Sequence, residues 1–252
     1  MPRLAGGELA GRTAMLRRPF SLAGRRDTAD GVELDLIHRV VGVGTDWLSQ
    51  LGIGDAVSVI GPLGNAFTLP ANGGAALLVG GGVGIPPMIY LASRLGNVPA
   101  VAFCGALTSD LLALTIDRHG EPPSIGGAPN VAEFARHNVR AVLSTDDGSY
   151  GYRGFVTQAL EQHLDRFFAD PSQPRPTIYT CGPEPMMKRV ADIAAARGLP
   201  VQIAVERAMA CGMGTCQSCV IKVRTGDDEA NPWRYRLACT DGPVFAGSDL
   251  LW

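Results

Sequence analysis

The sequence predicts a multi-domain chain, α+β in part and α/β in part. An antiparallel β-barrel comes first, a parallel-sheet α/β domain second and a small cysteine-bearing domain last. Three observations predict this. Short alternating segments separated by glycine-rich turns occupy residues 1–73; apolar runs alternating with helical segments occupy 74–200; and four cysteines gather within 201–252. Alternation with period two is the mark of a half-buried strand, whereas short buried strands separated by helices imply a parallel sheet.

The first region contains "RRPFSLAG", "VELDLIHRVVG" and "DAVSVIGPLG", each expected as a strand. Only seventeen residues precede the Arg18-Pro19-Phe20-Ser21 run, with "GRTAMLRRPFS" expected as a strand leading straight into it. A barrel of six strands needs a hairpin before that point, so the barrel is expected to be incomplete or to begin upstream. The second region supplies strands in "AALLVG", "VPAVAFCG", "VRAVLSTDDG" and "PTIYTCGP". Helices are expected in "PPMIYLASRLG", "GFVTQALEQHLDRFF" and "EPMMKRVADIAAARG", and "ADPSQPRPT" is expected as a polar surface loop.

Composition excludes several classes of function. Hydrophobic residues are 46% and charged residues 18% of the 252, enough apolar surface for a real core and too much for a disordered chain. The formal net charge of −2, without a basic run, argues against nucleic acid as a partner. The most apolar stretch, "AALLVGGGVGIPPMIYLA", is interrupted by glycines and prolines, which argues against a membrane span. The N-terminal residues lack the apolar core of a secretory signal, so the expected compartment is the reducing cytoplasm, where clustered thiols ligate metal more often than they form disulfides.

Cys211, Cys216, Cys219 and Cys239 are separated by four, two and nineteen residues. Three ligands in one tight loop with a fourth from afar is the spacing of plant-type [2Fe–2S] sites. Zinc sites more often use two close pairs, so a zinc staple is the weaker alternative, buried metal-free thiols a further one. Gly212, Gly214, Thr215 and Ser218 are small enough for a loop whose N–H groups turn toward sulfur. Cys104 ends an apolar run and is expected in the core or at a sheet edge. Cys181 opens "CGPEPMM" at a strand end, where ligands bind in open α/β sheets. No neighbouring base is evident for it, so a positioning role is expected rather than covalent chemistry.

Gly80, Gly81, Gly82 and Gly84 follow a buried strand and precede a helix beginning near Pro86 and Pro87. Such a turn lets backbone approach a pyrophosphate, although a plain tight turn is equally compatible with the glycines alone. The strand "AVAFCGALT" ends without an acid for the ribose; Asp146 and Asp147 close the next strand instead. Two carboxylates would accept ribose hydroxyls and repel a 2′-phosphate, which points to NAD rather than NADP. The same pair could equally be a solvated turn.

With these residues together, the chain resembles the ferredoxin–NAD(P) reductase superfamily and, within it, the electron-transfer subunits of B-type dihydroorotate dehydrogenases. "RRPFS" resembles the segment that holds FAD. The resemblance implies that Arg18 meets the flavin phosphates, that Pro19 and Phe20 border the ring with Phe20 packed on it, and that Ser21 lies near its N5. Phe20 stands where the superfamily usually has tyrosine. "IHRVVGVGT" resembles the second FAD segment and implicates Ile37, His38, Arg39, Gly44 and Thr45; "GPLGNAF" resembles a loop bordering the flavin. "GGGVGIPP" and "CGPEPMM" resemble the nicotinamide site, adding Cys181, Gly182 and Pro183, while "ERAMACGMGTCQSC" with "CTDGPVF" resembles the cluster region. The resemblance implies an oxidoreductase subunit for pyrimidine biosynthesis, with FAD, a [2Fe–2S] cluster and NAD. An FMN-containing catalytic subunit would be its partner, in a heterotetramer with two copies of each. Related subunits serving ferredoxin, sulfite reduction or hydrogenase use the same motifs, and a zinc-stapled nucleotide-binding module is the reading without enzyme activity.

Overall fold

A computed structural model describes residues 17–70, 74–121, 123–169, 174–226 and 232–252. The expected first strand in 11–16, the join at 71–73 and the centre of the "ADPSQPRPT" loop lie outside the described residues.

The elements are β1 (Gly24–Thr28), β2 (Gly31–Asp35), α1 (Val43–Ser49), β3 (Ala76–Gly81), α2 (Ile85–Arg94), β4 (Ala100–Ala106), α3 (Ala132–Ala135), β5 (Arg140–Thr145) and β6 (Tyr152–Arg153). They continue as α4 (Val156–Phe167), β7 (Thr177–Cys181), α5 (Glu184–Ala196), β8 (Val201–Ala204), β9 (Val220–Arg224), β10 (Trp233–Leu237), β11 (Val244–Ala246) and β12 (Leu250–Leu251).

A seven-stranded sheet in the order β11-β8-β7-β3-β4-β5-β6 forms the centre. All its neighbours are parallel except β11, which runs antiparallel to β8 at one edge. The sheet is buried on both faces, which is why its strands are unbroken apolar runs rather than alternating ones. Leu78, Tyr179 and Cys181 point toward α2, whereas Leu77, Val79 and Ile178 point toward α4 and α5. Cys104 is fully buried on the α2 side, as expected. Pro86 and Pro87 occupy the first turn of α2, where a missing N–H costs nothing.

The last segment forms an antiparallel sheet in the order β10-β9-β12. Its core joins Cys219, Ile221, Val223, Ala238 and Cys239 to Met187 and Ala191 of α5. The central sheet runs past residue 200: β8 pairs with β7, and β11, from beyond the last cysteine, pairs with β8. The cysteine segment and the α/β domain therefore interlock.

The N-terminal region departs from the sequence expectation. Among the described residues it holds one antiparallel pair, β1 with β2, and the short helix α1. "RRPFSLAG" enters strand geometry only at Gly24, "VELDLIHRVVG" stops being strand after Asp35, and residues 55–64 form no strand at all. Every residue of β2 is exposed, although its alternation predicted one buried face. A lone hairpin is marginal, because strands need neighbours both for ladder hydrogen bonds and to cover an apolar face. Among the described residues those neighbours are missing.

Candidate functional site

Cys181 and the glycines of the turn after β3 meet where the strand order reverses. β3 leads outward through β4 to β5 on one side, while β7 and β8 lie on the other. The crevice at the carboxyl ends of β3 and β7 is the switch point at which open α/β sheets bind ligands. Glycine makes this crevice possible for specific steric reasons. A Cβ on Gly84 would lie 2.1 Å from the Cys181 carbonyl oxygen, and one on Gly81 would lie 2.5 Å from the Met186 sulfur. A Cβ on Gly182, at φ +149°, would lie 3.0 Å from the Gly81 backbone, and one on Gly80 would lie 2.9 Å from Ile85 Cα. Gly81 and Gly84 therefore serve close approach between the two strand-end loops, while Gly80 makes room within its own turn. Gly82 alone has a left-handed φ, +54°, with open space before it. Pro183 is exposed at the mouth, just before α5.

Cys181 ends β7 and is buried. Burial, and then the Glu206 carboxylate, push its thiol pKa up. Glu206 Oε1 lies 3.9 Å from Cys181 Sγ, which corrects the sequence expectation that no acid-base group lies nearby. A neighbouring negative charge disfavours the thiolate, so this contact does not activate the thiol. Glu206 itself keeps solvent access, yet the protein atoms crowding its carboxyl raise its pKa. Sequence reasoning missed it because 25 residues separate the partners. Arg207, the next residue, pairs with Glu184 at the start of α5 at 2.9 Å.

Asp146 and Asp147 stand exposed beyond β5, two strands from β3 and so about 10 Å across the sheet. Asp147 accepts the Ser149 N–H at 2.9 Å, which lowers its pKa. The pKa of Asp146 is raised, first by desolvation and then by Asp147. Tyr150 lies nearby with the Arg118 guanidinium over its ring at 4.5 Å.

In the N-terminal region, Arg18, Pro19, Phe20, Val41, Gly42, Val43, Gly44 and Thr45 line a groove of about 200 Å³. Gly44 is buried against the Arg18 side chain, 3.2 Å from where a Cβ would stand. Phe20 meets the His38 ring edge-on at 6.2 Å, and His38 Nε2 is buried without a hydrogen-bond partner among the described residues. Thr45 lines the groove, but its hydroxyl accepts the Val41 and Gly42 N–H groups at 2.9 and 3.1 Å and so shapes the loop. Ile37 packs against the α/β core instead, and Ser21 and Arg39 are exposed outside the groove lining.

The four late cysteines come together. Met213 and Cys216 each donate a backbone N–H to Cys211 Sγ at 3.4 Å. Gly212, Gly214 and Gln217 have left-handed φ values of +72°, +86° and +57°, the turns that aim those N–H groups inward. Cys216 Sγ lies 3.2 Å from the Ser218 hydroxyl, and that contact, with Cys211 beside it, holds the Cys216 thiol down at about 6. Cys239 is pushed up by burial and by the adjoining Cys219 thiol. The thiols thus meet in pairs, Cys211 with Cys216 and Cys219 with Cys239. Among the described residues no three His, Cys, Asp or Glu side chains form a site for a single metal ion. Paired thiols with inward N–H groups fit a two-iron cluster, which takes two thiolates at each iron.

A parallel-sheet nucleotide domain, an N-terminal antiparallel element and a late cysteine domain define an NAD-dependent oxidoreductase of the ferredoxin-reductase type that carries an iron–sulfur centre. Residues 206–251 match the model of the iron-sulfur cluster binding domain of dihydroorotate dehydrogenase B, and 128–192 match the oxidoreductase NAD-binding domain. The chain is 38% identical to the dihydroorotate dehydrogenase B (NAD(+)) electron transfer subunit of Geobacillus thermodenitrificans, over 94% of its own length and 80% of the relative's. The Clostridium acetobutylicum subunit of the same name is 35% identical over the same shares. A solved NADH-dependent reduced ferredoxin–NADP oxidoreductase superposes with a TM-score of 0.73 at 29% identity, covering 94% of this chain and 75% of that one. The chain belongs to the family of dihydroorotate dehydrogenase B electron transfer subunits.

Proposed function

We propose that this chain passes electrons from a separate dihydroorotate-oxidising subunit to NAD⁺, within the synthesis of pyrimidines. The observation that carries this reading is the placing of four paired thiols on a domain interlocked with the NAD-type sheet. Dihydroorotate gives up two electrons and two protons on the partner; NAD⁺ takes two electrons and one proton, and one proton goes to solvent. When bound, the [2Fe–2S] cluster moves single electrons and FAD exchanges them for hydride.

Cys211, Cys216, Cys219 and Cys239 would hold the cluster. Phe20, His38, Arg18 and Gly44 would hold FAD, Phe20 offering a ring face and His38 Nε2 an unsatisfied nitrogen. Gly81, Gly82 and Gly182 would admit the dinucleotide backbone, and Asp146 with Asp147 its ribose. Cys181 would position the nicotinamide. The cluster domain would begin near residue 206, after β8. The partner would carry FMN, two copies of each subunit would assemble, and the complex would work in the cytoplasm. No helix among the described residues is long and apolar enough to cross a membrane.

The structural likeness to a ferredoxin–NADP oxidoreductase favours one second reading, delivery of NADH electrons to ferredoxin. One experiment separates the readings. Anaerobically purified protein should hold about two irons and two labile sulfides per chain, and Cys216→Ala should lose both while Cys104→Ala keeps them. Addition of a dihydroorotate-oxidising subunit should then give dihydroorotate-dependent NADH formation. Ferredoxin reduction with no response to that subunit would favour the second reading, and one zinc without sulfide would end both.

A further inference from the structure

The loop through Gly61–Asn65, which the family resemblance places beside the flavin, touches both stretches of chain that carry the four late cysteines. Leu63 Cδ1 lies 3.0 Å from where a Cβ on Gly212 would be, inside the three-cysteine loop. Gly64, at φ +66°, brings its backbone so close to the turn after Cys239 that a Cβ would meet the Gly242 carbonyl oxygen at 1.9 Å. Asn65 then locks the approach. Its backbone N–H donates to the Gly242 carbonyl at 2.6 Å. Its Nδ2 donates to the Asp241 carbonyl at 3.1 Å and the Val244 carbonyl at 2.8 Å, and its Oδ1 accepts the Val244 N–H at 2.8 Å.

Such a set needs a primary amide. Two of the partners are carbonyl oxygens that require donors and one is an N–H that requires an acceptor, a combination that aspartate and aliphatic side chains cannot meet. The receiving turn is itself rigid. Asp241 and Gly242 both donate to the Leu237 carbonyl, at 2.8 and 3.1 Å, and Asp241 Oδ2 accepts the Leu237 N–H at 2.8 Å. Cys239 lies inside that turn, so its placement follows the placement of Asn65. Three residues further on, Thr68 is tied to the α/β domain: Gln202 exchanges hydrogen bonds with its N–H and carbonyl at 2.9 Å each, and the Tyr179 hydroxyl donates to the same carbonyl at 2.9 Å. The segment 61–68 is thus fastened at one end to the cysteine domain and at the other to the central sheet.

We propose that Asn65 is a positioning residue that sets the cluster against the flavin-side segment, and thereby the rate at which electrons pass between them. This rests on the functional reading above. Ordinary stabilisation of a domain contact is the competing account, and it predicts no difference between the two electron-transfer steps. Loosening a supporting contact by about an ångström is enough to change a transfer step severalfold.

The test uses the intact holoprotein, purified anaerobically and mixed with NADH in a stopped-flow instrument, with flavin and cluster absorbance followed separately. In Asn65→Ala the flavin phase should stay within about twofold of wild type and the cluster phase should slow by at least ~5-fold. Iron and sulfide content should be unchanged. Hydrogen exchange of the 240–246 peptide should quicken in the same variant. Asn65→Asp, which keeps the acceptor and loses both donors, should slow the cluster phase as well. Unchanged phases in Asn65→Ala, equal slowing of both phases, or a wild-type cluster phase in Asn65→Asp would overturn the assignment. A wild-type cluster that NADH never reduces would instead overturn the functional reading itself.

Discussion

β2 and β3 both carry valine and leucine side chains, and the structure treats them oppositely. All six residues of β3 are buried, whereas all five of β2 are exposed. The difference extends to their surroundings: Leu77, Leu78 and Val79 are at most 1% exposed, while Val32, Val57 and Val59 are 53%, 47% and 68% exposed. β3 has a parallel neighbour on each side and helices on both faces, so every apolar group finds cover inside its own domain. β2 has one antiparallel partner among the described residues, and a two-stranded hairpin cannot bury a face. Apolar composition drives burial only where the fold supplies a second layer. Among the described residues the α/β domain therefore buries far more apolar surface than the N-terminal region.

Three measurements would break or sharpen that contrast. The largest expected effect is on stability. Leu78→Ala removes a fully buried side chain from the central strand and should cost about 3 kcal/mol in urea unfolding. Val59→Ala, on an exposed position, should change stability by less than about 0.5 kcal/mol. Equal losses would mean that the N-terminal region is as tightly organised as the sheet.

A smaller effect concerns cofactor choice at the far end of that sheet. Asp146 and Asp147 stand exposed at the end of β5, and a 2′-phosphate placed beside them would meet negative charge. NADH should be preferred over NADPH by about 50-fold in kcat/KM for dye reduction, roughly 2.3 kcal/mol of discrimination. Comparable values for the two cofactors would remove both aspartates from the site.

The smallest effect is a pH dependence confined to the α/β domain. His163 is buried beside Phe103, Phe167 and Phe168, and its Nδ1 faces the Ile125 carbonyl at 2.8 Å. Burial lowers its pKa below the ordinary histidine value, with the Ile125 hydrogen bond opposing in part. The unfolded chain then binds a proton more readily than the folded one, so the contribution of neutral His163 is complete above the unfolded pKa of about 6.5 and is lost as pH falls below it. Unfolding midpoints should decline between pH 7.5 and 5.5, and less so in His163→Phe. A pH slope identical in that variant would place the titration elsewhere.

The α/β domain and the cysteine spacing were legible in the amino-acid order, because both depend on local chemistry. Buried strands and helices differ in period, prolines mark the start of α2, and the separations of Cys211, Cys216 and Cys219 reflect the reach of one loop, with Cys239 supplied from beyond β10. The glycine run was legible as a turn but not in its details. That Gly81 and Gly84 make room for Met186 and Cys181, rather than only for a ligand, depends on β7 lying beside β3, about a hundred residues away in the chain. The strand expected in "DAVSVIGPLG" failed for the same kind of reason. Alternation states a preference for strand geometry, and only a neighbouring strand can satisfy it.

Glu206 beside Cys181, and Asn65 across the turn after Cys239, join positions 25 and up to 179 residues apart, so no window of sequence contains them. What the sequence determined by itself was the order of the fold types, the spacing of the late cysteines and the glycine turn after β3, since each is written within a short run of residues. What only the tertiary structure decided was which faces are covered, which carboxylate meets the Cys181 thiol and which amide joins the Gly61–Asn65 loop to the cysteine domain. Those outcomes depend on hydrogen bonds and contacts between distant segments, which exist only once the sheet has brought the segments together.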